Sequence, residues 1–291
     1  MAEHFDGKIQ KLTVDAGFTC PNRDGSLGRG GCIYCNNTSF TPSTGQRRRS
    51  VTEQLEDAKQ FFARKYPEMR YLAYFQSYTN TYGATADLMD LYREALNVED
   101  VVGLIIGTRP DCMPDDLLNE LAELNKEKTV FIEYGAESSH NSTLDAINRC
   151  HTWEQTVDAV NRTHHKGLSV GLHFILGLPG EDRRMMLETV DRINELPIDS
   201  VKFHQLQIVR GTRLAAEYLR NPEVVSLFNV EEYIDLCSEI VRRLRPDISI
   251  ERFVSQSPDG LLIAPRWGLK NYEFTHRLFN RLSEQANPRY E

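Results

Sequence analysis

From about residue 70 to residue 245 the chain alternates short apolar runs with longer amphipathic ones. YLAYF (71–75), VVGLII (101–106), TVFIEYG (129–135), LSVGLHFIL (168–176) and SVKFHQLQIV (200–209) are rich in β-branched and aromatic residues and predict strands. Between and after them, residues 84–96, 114–126, 153–167, 181–196 and 230–244 repeat apolar positions at helical spacing. Pro114 opens one of these helices and Gly167 closes another. KIQKLTV (8–14) adds a first strand, and VTEQLEDAKQFFARKY (51–66) a first helix beyond a long loop. Strands alternating with helices imply a parallel sheet with right-handed crossovers. The predicted fold is therefore α/β, a partial (β/α)6 TIM-type barrel occupying residues 1–246. Beyond it, residues 248–255 predict an extra strand, 258–270 a loop and 271–285 a terminal helix. Residues 247–291 then form a C-terminal extension covering one side of the barrel. Ligands of such a barrel gather at the C-terminal ends of its strands.

Composition narrows the class. The 291 residues are 40 % hydrophobic and 26 % charged, enough to bury a sizeable core. No apolar run approaches the ~18 residues of a membrane span, and MAEHFDGKIQK has no stretch suited to a signal peptide. A cytoplasmic protein with no membrane partner is expected. A net charge of −8 argues against coating nucleic acid non-specifically. Two basic runs remain, Arg47–Arg48–Arg49 and Arg242–Arg243–Arg245, and their default reading is a solvated surface. Six cysteines in such a chain do not suggest a disulfide framework. Cys112, Cys150 and Cys237 share no short spacing and are expected to act as small buried hydrophobes.

The other three cysteines carry the chemistry. Cys20, Cys32 and Cys35 lie in CPNRDGSLGRGGCIYC, spaced C-x11-C-x2-C, in the loop after the first strand. Three thiolates can hold three irons of a [4Fe–4S] cube and leave the fourth open to a ligand, which turns an electron carrier into a catalyst. Gly25, Gly28, Gly30 and Gly31 let this loop wrap closely around a bulky group. A structural zinc site wants four ligands, with His4 or a distant cysteine as the fourth, and stays open as an alternative. So does a redox CxxC pair, which leaves Cys20 unused.

The triad, with Tyr34 just before its last cysteine, resembles the radical S-adenosylmethionine (SAM) superfamily, although the usual spacing there is C-x3-C-x2-C. Long loops of this kind resemble the branch around the catalytic subunit of Elongator. TRPD (108–111), EYGAESSHNSTLDAINRCH (133–151) and HFILGLPGE (173–181) are similar to segments of that branch, over roughly residues 8–245. The DAGFTCPNRDG opening is similar to a subfamily of small bacterial proteins. Too few residues follow the barrel for Elongator's acetyltransferase domain, so its full reaction is not expected.

The resemblance implies a [4Fe–4S] cluster on Cys20, Cys32 and Cys35, and SAM cleaved to a 5′-deoxyadenosyl radical. It implies an electron donor such as flavodoxin or ferredoxin. Tyr34 would pack on the adenine side or shield the cluster. Gln76, Ser77 and Tyr78 stand where the superfamily often carries GGE to grip the methionine ammonium. With that motif absent, backbone carbonyls and hydroxyls would share the task. Glu137 and Ser138 match a ribose-contacting pair, and a carboxylate can accept both ribose hydroxyls. Arg149 matches an arginine that pairs with the SAM carboxylate, the alternative being a helix-surface arginine. His173 matches a position near the ribose, the alternative being a satisfied core histidine. Gly177, Pro179 and Gly180 would let backbone approach adenine, or form an ordinary turn. Gly107 replaces the Glu of ETRPD. No residue is assigned to catalysis on the substrate itself.

Glu133, Lys202, His204, Gln205 and Gln207 are polar residues on strands, which either line a ligand site or satisfy buried backbone. Arg252, Arg266 and Trp267 could close over a substrate. The leading functional expectation is a radical SAM enzyme acting on a tRNA wobble-uridine side chain. The alternatives are a radical SAM oxidoreductase of a small metabolite and a zinc- or cluster-stabilised binding protein.

Overall fold

The computed structural model describes residues 5, 8–39, 49–63 and 68–286. His4, Arg47, Arg48 and the predicted helix end at 64–66 lie outside them. Ten helices and nine strands follow in chain order among the described residues: β1 (Ile9–Val14), α1 (Pro21–Asp24), α2 (Val51–Ala63), β2 (Arg70–Phe75), α3 (Thr85–Leu96), β3 (Val101–Thr108), α4 (Asp115–Asn125), β4 (Thr129–Glu137), α5 (Asn141–Ala146), α6 (Trp153–His165), β5 (Ser169–Leu176), α7 (Arg183–Asn194), β6 (Ser200–Gln205), β7 (Ile208–Val209), α8 (Arg213–Arg220), α9 (Val230–Arg243), β8 (Ser249–Arg252), β9 (Leu262–Ala264) and α10 (Asn271–Ala286). The main sheet has seven strands in the order β1-β2-β3-β4-β5-β6-β8. Its fold class is the expected α/β partial barrel. No helix among the described residues is long and apolar enough to cross a membrane.

The chain divides into two compact units. The first comprises Met1–Arg29, Phe40–Gly135 and Asp158–Val170. Here β1, β2, β3 and β4 pair in parallel, with Val14 opposite Phe75 and Gly107 opposite Glu133. Strand alternation sorts the side chains. Phe75 packs edge-on against Tyr92 of α3 at 5.2 Å between ring centroids, and Leu104 and Ile106 are fully buried. Burying each such side chain stabilises by about 1.5–3 kcal/mol. The opposite face carries Leu72, Tyr74 and Ile105, with Lys11 and Glu133 beside them. Glu133 is buried, accepts from the Tyr74 hydroxyl at 2.7 Å and pairs with Lys11 at 3.3 Å. Its carboxylate is thus engaged within the sheet.

The second unit comprises Gly30–Ser39, Ala136–Val157 and Gly171–Glu291. In it β5 pairs with β6 and β6 with β8, all parallel, with His173 opposite Lys202. Leu172, Phe174, Val201 and Phe203 are buried, and Phe174 packs on Trp153 of α6. His173 and His204 occupy the other face. Asn229 caps α9 through a reciprocal bond with Glu232, as its sequence, Asn-x-x-Glu, dictates.

Two expectations need correction. The strand expected at 200–209 ends at Gln205, and Ile208–Val209 pairs antiparallel with Leu262–Ala264, inside the expected loop. Leu206 and Ile208 continue the apolar alternation but enter a different core, around Ile33, Leu144 and Leu178, so periodicity alone could not see the break. The Gln205 and Gln207 amides both donate to the Ser255 carbonyl, and Gln205 also accepts from the Ser255 amide, as the backbone-satisfying alternative holds. Trp267 donates to the Phe228 carbonyl and stacks on Phe274 of α10. Of the three remaining cysteines only Cys237 is buried; Cys112 and Cys150 are half-buried. The described basic residues are largely neutralised, Arg49 by Asp57, Arg243 by Asp191 and Arg245 by Asp247.

Candidate cofactor and metal site

In the first unit the chain leaves β1 and reaches Cys20, whose carbonyl accepts from the Arg23 and Asp24 amides to start the single turn α1. Gly25 closes that turn at φ +98°, a conformation that strains residues bearing a Cβ. The loop after β2 is tied to the cysteine loop: the Thr79 amide donates to the Thr19 carbonyl, Ser26 and Tyr82 share a 2.8 Å hydroxyl bond, and Arg23 lies over the Tyr78 ring. Ser77 is buried, Gln76 and Tyr78 half-buried, and Tyr78 has φ +62°. Asn80 donates to the Phe75 and Gly107 carbonyls. Its Oδ1, and the Thr79 hydroxyl, are buried with no hydrogen-bond partner among the described residues. Orphaned buried acceptors are costly and suit a cationic donor such as an ammonium. Cys112 follows β3, within electrostatic reach of Cys20, and burial pushes its thiol up to about 12.

The second unit holds Cys32 and Cys35 in one turn, closed by the Cys35 amide donating to the Cys32 carbonyl at 3.1 Å. Ile33 anchors the turn: it is buried against Leu144 and Ile147, its amide bonds the Ile147 carbonyl, and its carbonyl accepts from Leu214. Asn148 donates to the Gly31 carbonyl at 2.8 Å. Arg149 is buried, contrary to the helix-surface alternative. Its Nη1 donates to Cys32 Sγ at 3.7 Å and its Nη2 lies 3.4 Å from Glu137 Oε1. Burial alone would lower the Arg149 guanidinium's pKa, but the Glu137 carboxylate and Cys32 beside it outweigh that and hold it well above the usual value. Burial, then Cys32 and Glu137, push the Tyr34 phenol well up, so it stays protonated. Glu137, Asn148 and Cys150 all have positive φ, at 68°, 55° and 60°. Left-handed non-glycine residues persist where surrounding structure holds them, often at functional sites.

Behind Glu137, Ser138 is buried and bonds Glu181, at the end of the LGLPGE run. Gly177 has φ +88°, and a Cβ there would meet the Phe228 ring at 3.1 Å. Glu181, Asn148, Thr79 and Asn80 are the residues that sequence reasoning passed over. Glu181 and Asn148 stood inside quoted motifs, but their partners are remote in sequence.

Burial pushes the Glu181 carboxyl up to about 7, from 4.5, although Ser138 and Thr143 hydrogen bonds pull it down. The folded chain then binds this proton more tightly than the unfolded chain. Stability from this group is full below pH 4.5 and is lost as pH rises to about 7. Glu181→Gln is expected to flatten that fall and stabilise the protein at pH 8 by on the order of 1–3 kcal/mol. Chemical denaturation at pH 5 and pH 8 measures it, and an unchanged pH dependence contradicts it.

The donor types suit an iron–sulfur cluster. In the second unit Arg149 donates to the Cys32 thiol beside Cys35, and in the first unit orphaned acceptors sit in the loop beside Cys20. Among the described residues no three His, Cys, Asp or Glu side chains, the three cysteines included, are arranged to hold a metal ion.

The radical SAM superfamily model matches residues 20–193, and the radical SAM C-terminal domain model matches 198–284. YtqA of Bacillus subtilis is 34% identical over 99% of this chain and 88% of its own length. A tRNA-2-methylthio-N(6)-dimethylallyladenosine synthase of Syntrophomonas wolfei is 27% identical, over 63% of this chain and 42% of its own. Among solved structures, an archaeal Elp3 from Methanocaldococcus infernus superposes with a TM-score of 0.69 at 16% identity, over 96% of this chain and 63% of that one. The family works with a [4Fe–4S] cluster and SAM. With its model matching well over half the residues, and a relative 34% identical along nearly the whole chain, the protein belongs to the radical SAM superfamily.

Proposed function

We propose that this radical SAM enzyme modifies an RNA, with a tRNA wobble-uridine side chain as its substrate. One observation carries the chemistry: the cysteine loop supplies three thiolates in a C-x11-C-x2-C spacing, with a buried cation, Arg149, on Cys32. Cys20, Cys32 and Cys35 hold the cluster and leave one iron open. When bound, the cluster and SAM supply a 5′-deoxyadenosyl radical able to abstract hydrogen from a C–H bond. The chain's own residues bind and aim. Arg149 takes the SAM carboxylate by a charge-assisted contact, and Glu137, Ser138 and His173 attend the ribose. Gln76, Ser77 and Tyr78, with the buried acceptors of Thr79 and Asn80, receive the ammonium. Gly177 brings backbone close to adenine, and Tyr34 shields the cluster with a protonated phenol. Reducing equivalents come from a flavodoxin or ferredoxin. The absence of any disulfide among the described residues, which include all six cysteines, suits a cytoplasmic setting.

The tRNA substrate rests on the motifs of residues 108–111, 133–151 and 173–181, and on the likeness to a tRNA-modifying synthase. A small-metabolite oxidoreductase is the second reading, favoured by the net charge of −8. Anaerobically reconstituted protein, reduced with dithionite in the presence of SAM, is expected to release 5′-deoxyadenosine, and faster with total tRNA. No product from fully loaded protein contradicts the radical step. Stimulation by a small-molecule extract and none by tRNA supports the second reading instead.

A further inference from the structure

On the second unit's sheet, β5, β6 and β8 bring together His173, Lys202, His204 and Arg252. His173 lies opposite Lys202 in the parallel register, and the two imidazoles are 5.9 Å apart. His204 and Arg252 stand near the C-terminal ends of their strands, the edge where barrels of this class bind ligands. The two cations differ in what balances them. Lys202 is buried and pairs with Glu251 at 3.4 Å. Arg252 has no carboxylate at ion-pair distance among the described residues. Among the described residues its Nη2 meets His204 Nε2, at 3.2 Å, and its Nε is buried with no hydrogen-bond partner.

A guanidinium whose Nε is shut away from both water and acceptors is costly unless something arrives to accept from it. The fork of N–H donors fits an oxyanion, carboxylate or phosphate, better than any neutral group. His204, holding Arg252 through Nε2, fixes the plane of that fork. We propose that Arg252, oriented by His204, is the anchor for an anionic group of the substrate, a phosphate or a carboxylate. Resting on the radical SAM reading, this gives the substrate a negative charge near the reacting end of the sheet. Arg149, not Arg252, is left to the carboxylate of SAM.

Cluster-loaded protein with SAM is titrated with inorganic phosphate and, separately, with acetate, following heat. The same samples are assayed for 5′-deoxyadenosine. One of the two anions is expected to bind saturably, and Arg252→Gln to weaken it by roughly tenfold or more. Arg252→Lys keeps the charge, loses the fork and should fall between. Phosphate binding points to a phosphorylated or nucleic-acid substrate, and acetate binding to a carboxylic acid. SAM affinity is expected to stay the same in both variants. That comparison, with a melting curve for each variant, separates loss of the anchor from loss of fold. If 5′-deoxyadenosine forms but neither anion binds, or Arg252→Gln binds as wild type does, the anchor is wrong and the radical reading survives. If Arg252→Gln weakens SAM instead, the anchor is also wrong, because Arg252 then serves the cofactor.

Discussion

Replacing Cys32 with alanine is expected to abolish 5′-deoxyadenosine formation and the cluster's absorption while leaving the fold in place. The backbone of the turn is held by groups other than the thiol: the Ile33 amide on Ile147, Asn148 on Gly31 and the Cys35 amide on the Cys32 carbonyl. Deleting the sulfur therefore removes one of the three proposed cluster ligands and the acceptor of Arg149 without opening the core. Cys237→Ala is the contrasting variant. Cys237 is fully buried on α9, and its loss leaves a cavity costing about 1–2 kcal/mol while the cluster stays. Iron analysis and product assay on both proteins check this. A Cys32→Ala protein with full iron and wild-type activity contradicts the ligand assignment.

The second large effect is expected at Arg149. Arg149→Met keeps the stem and removes the charge, leaving Glu137 without its cation in a place where the carboxylate keeps 14% exposure. Breaking a buried pair from one side costs about 3 kcal/mol at the low end, and partial solvation of Glu137 puts the expected loss there. Converting Glu137 to Gln in the same background should restore much of the stability, since the stranded charge is then gone. SAM binding should not recover: the proposed carboxylate contact is still missing, and affinity is expected to drop at least about tenfold. Urea denaturation of the two single variants and the double variant, with SAM titrations alongside, tests both halves. Recovery of SAM affinity in the double variant contradicts the role given to Arg149.

The strand-helix alternation was legible because each strand buries one face on helices. Leu104, Ile106, Leu172 and Phe174 announce that by their spacing. The break after Gln205 was not legible, since Leu206 and Ile208 keep an alternating pattern while changing core. Short helices such as Asn141–Ala146 and Arg213–Arg220 are too brief for periodicity to register. At the site, the cysteines were visible from spacing, and the burial of Arg149 agrees with the motif that singled it out. The Ser138–Glu181 contact and the isolation of Arg252 join residues far apart in sequence, and no local pattern encodes them. Gln205 and Gln207 were open to either reading, and their amides bond the Ser255 carbonyl, a partner too remote in sequence for any local pattern to name.

Iron and sulfide analysis of the anaerobically reconstituted protein, combined with electron paramagnetic resonance of the reduced protein before and after SAM, bears most directly on the vacant iron. About four irons and four sulfides per chain are expected, with a resonance that changes when SAM is added. Zinc without sulfide, or a cluster resonance indifferent to SAM, would contradict it.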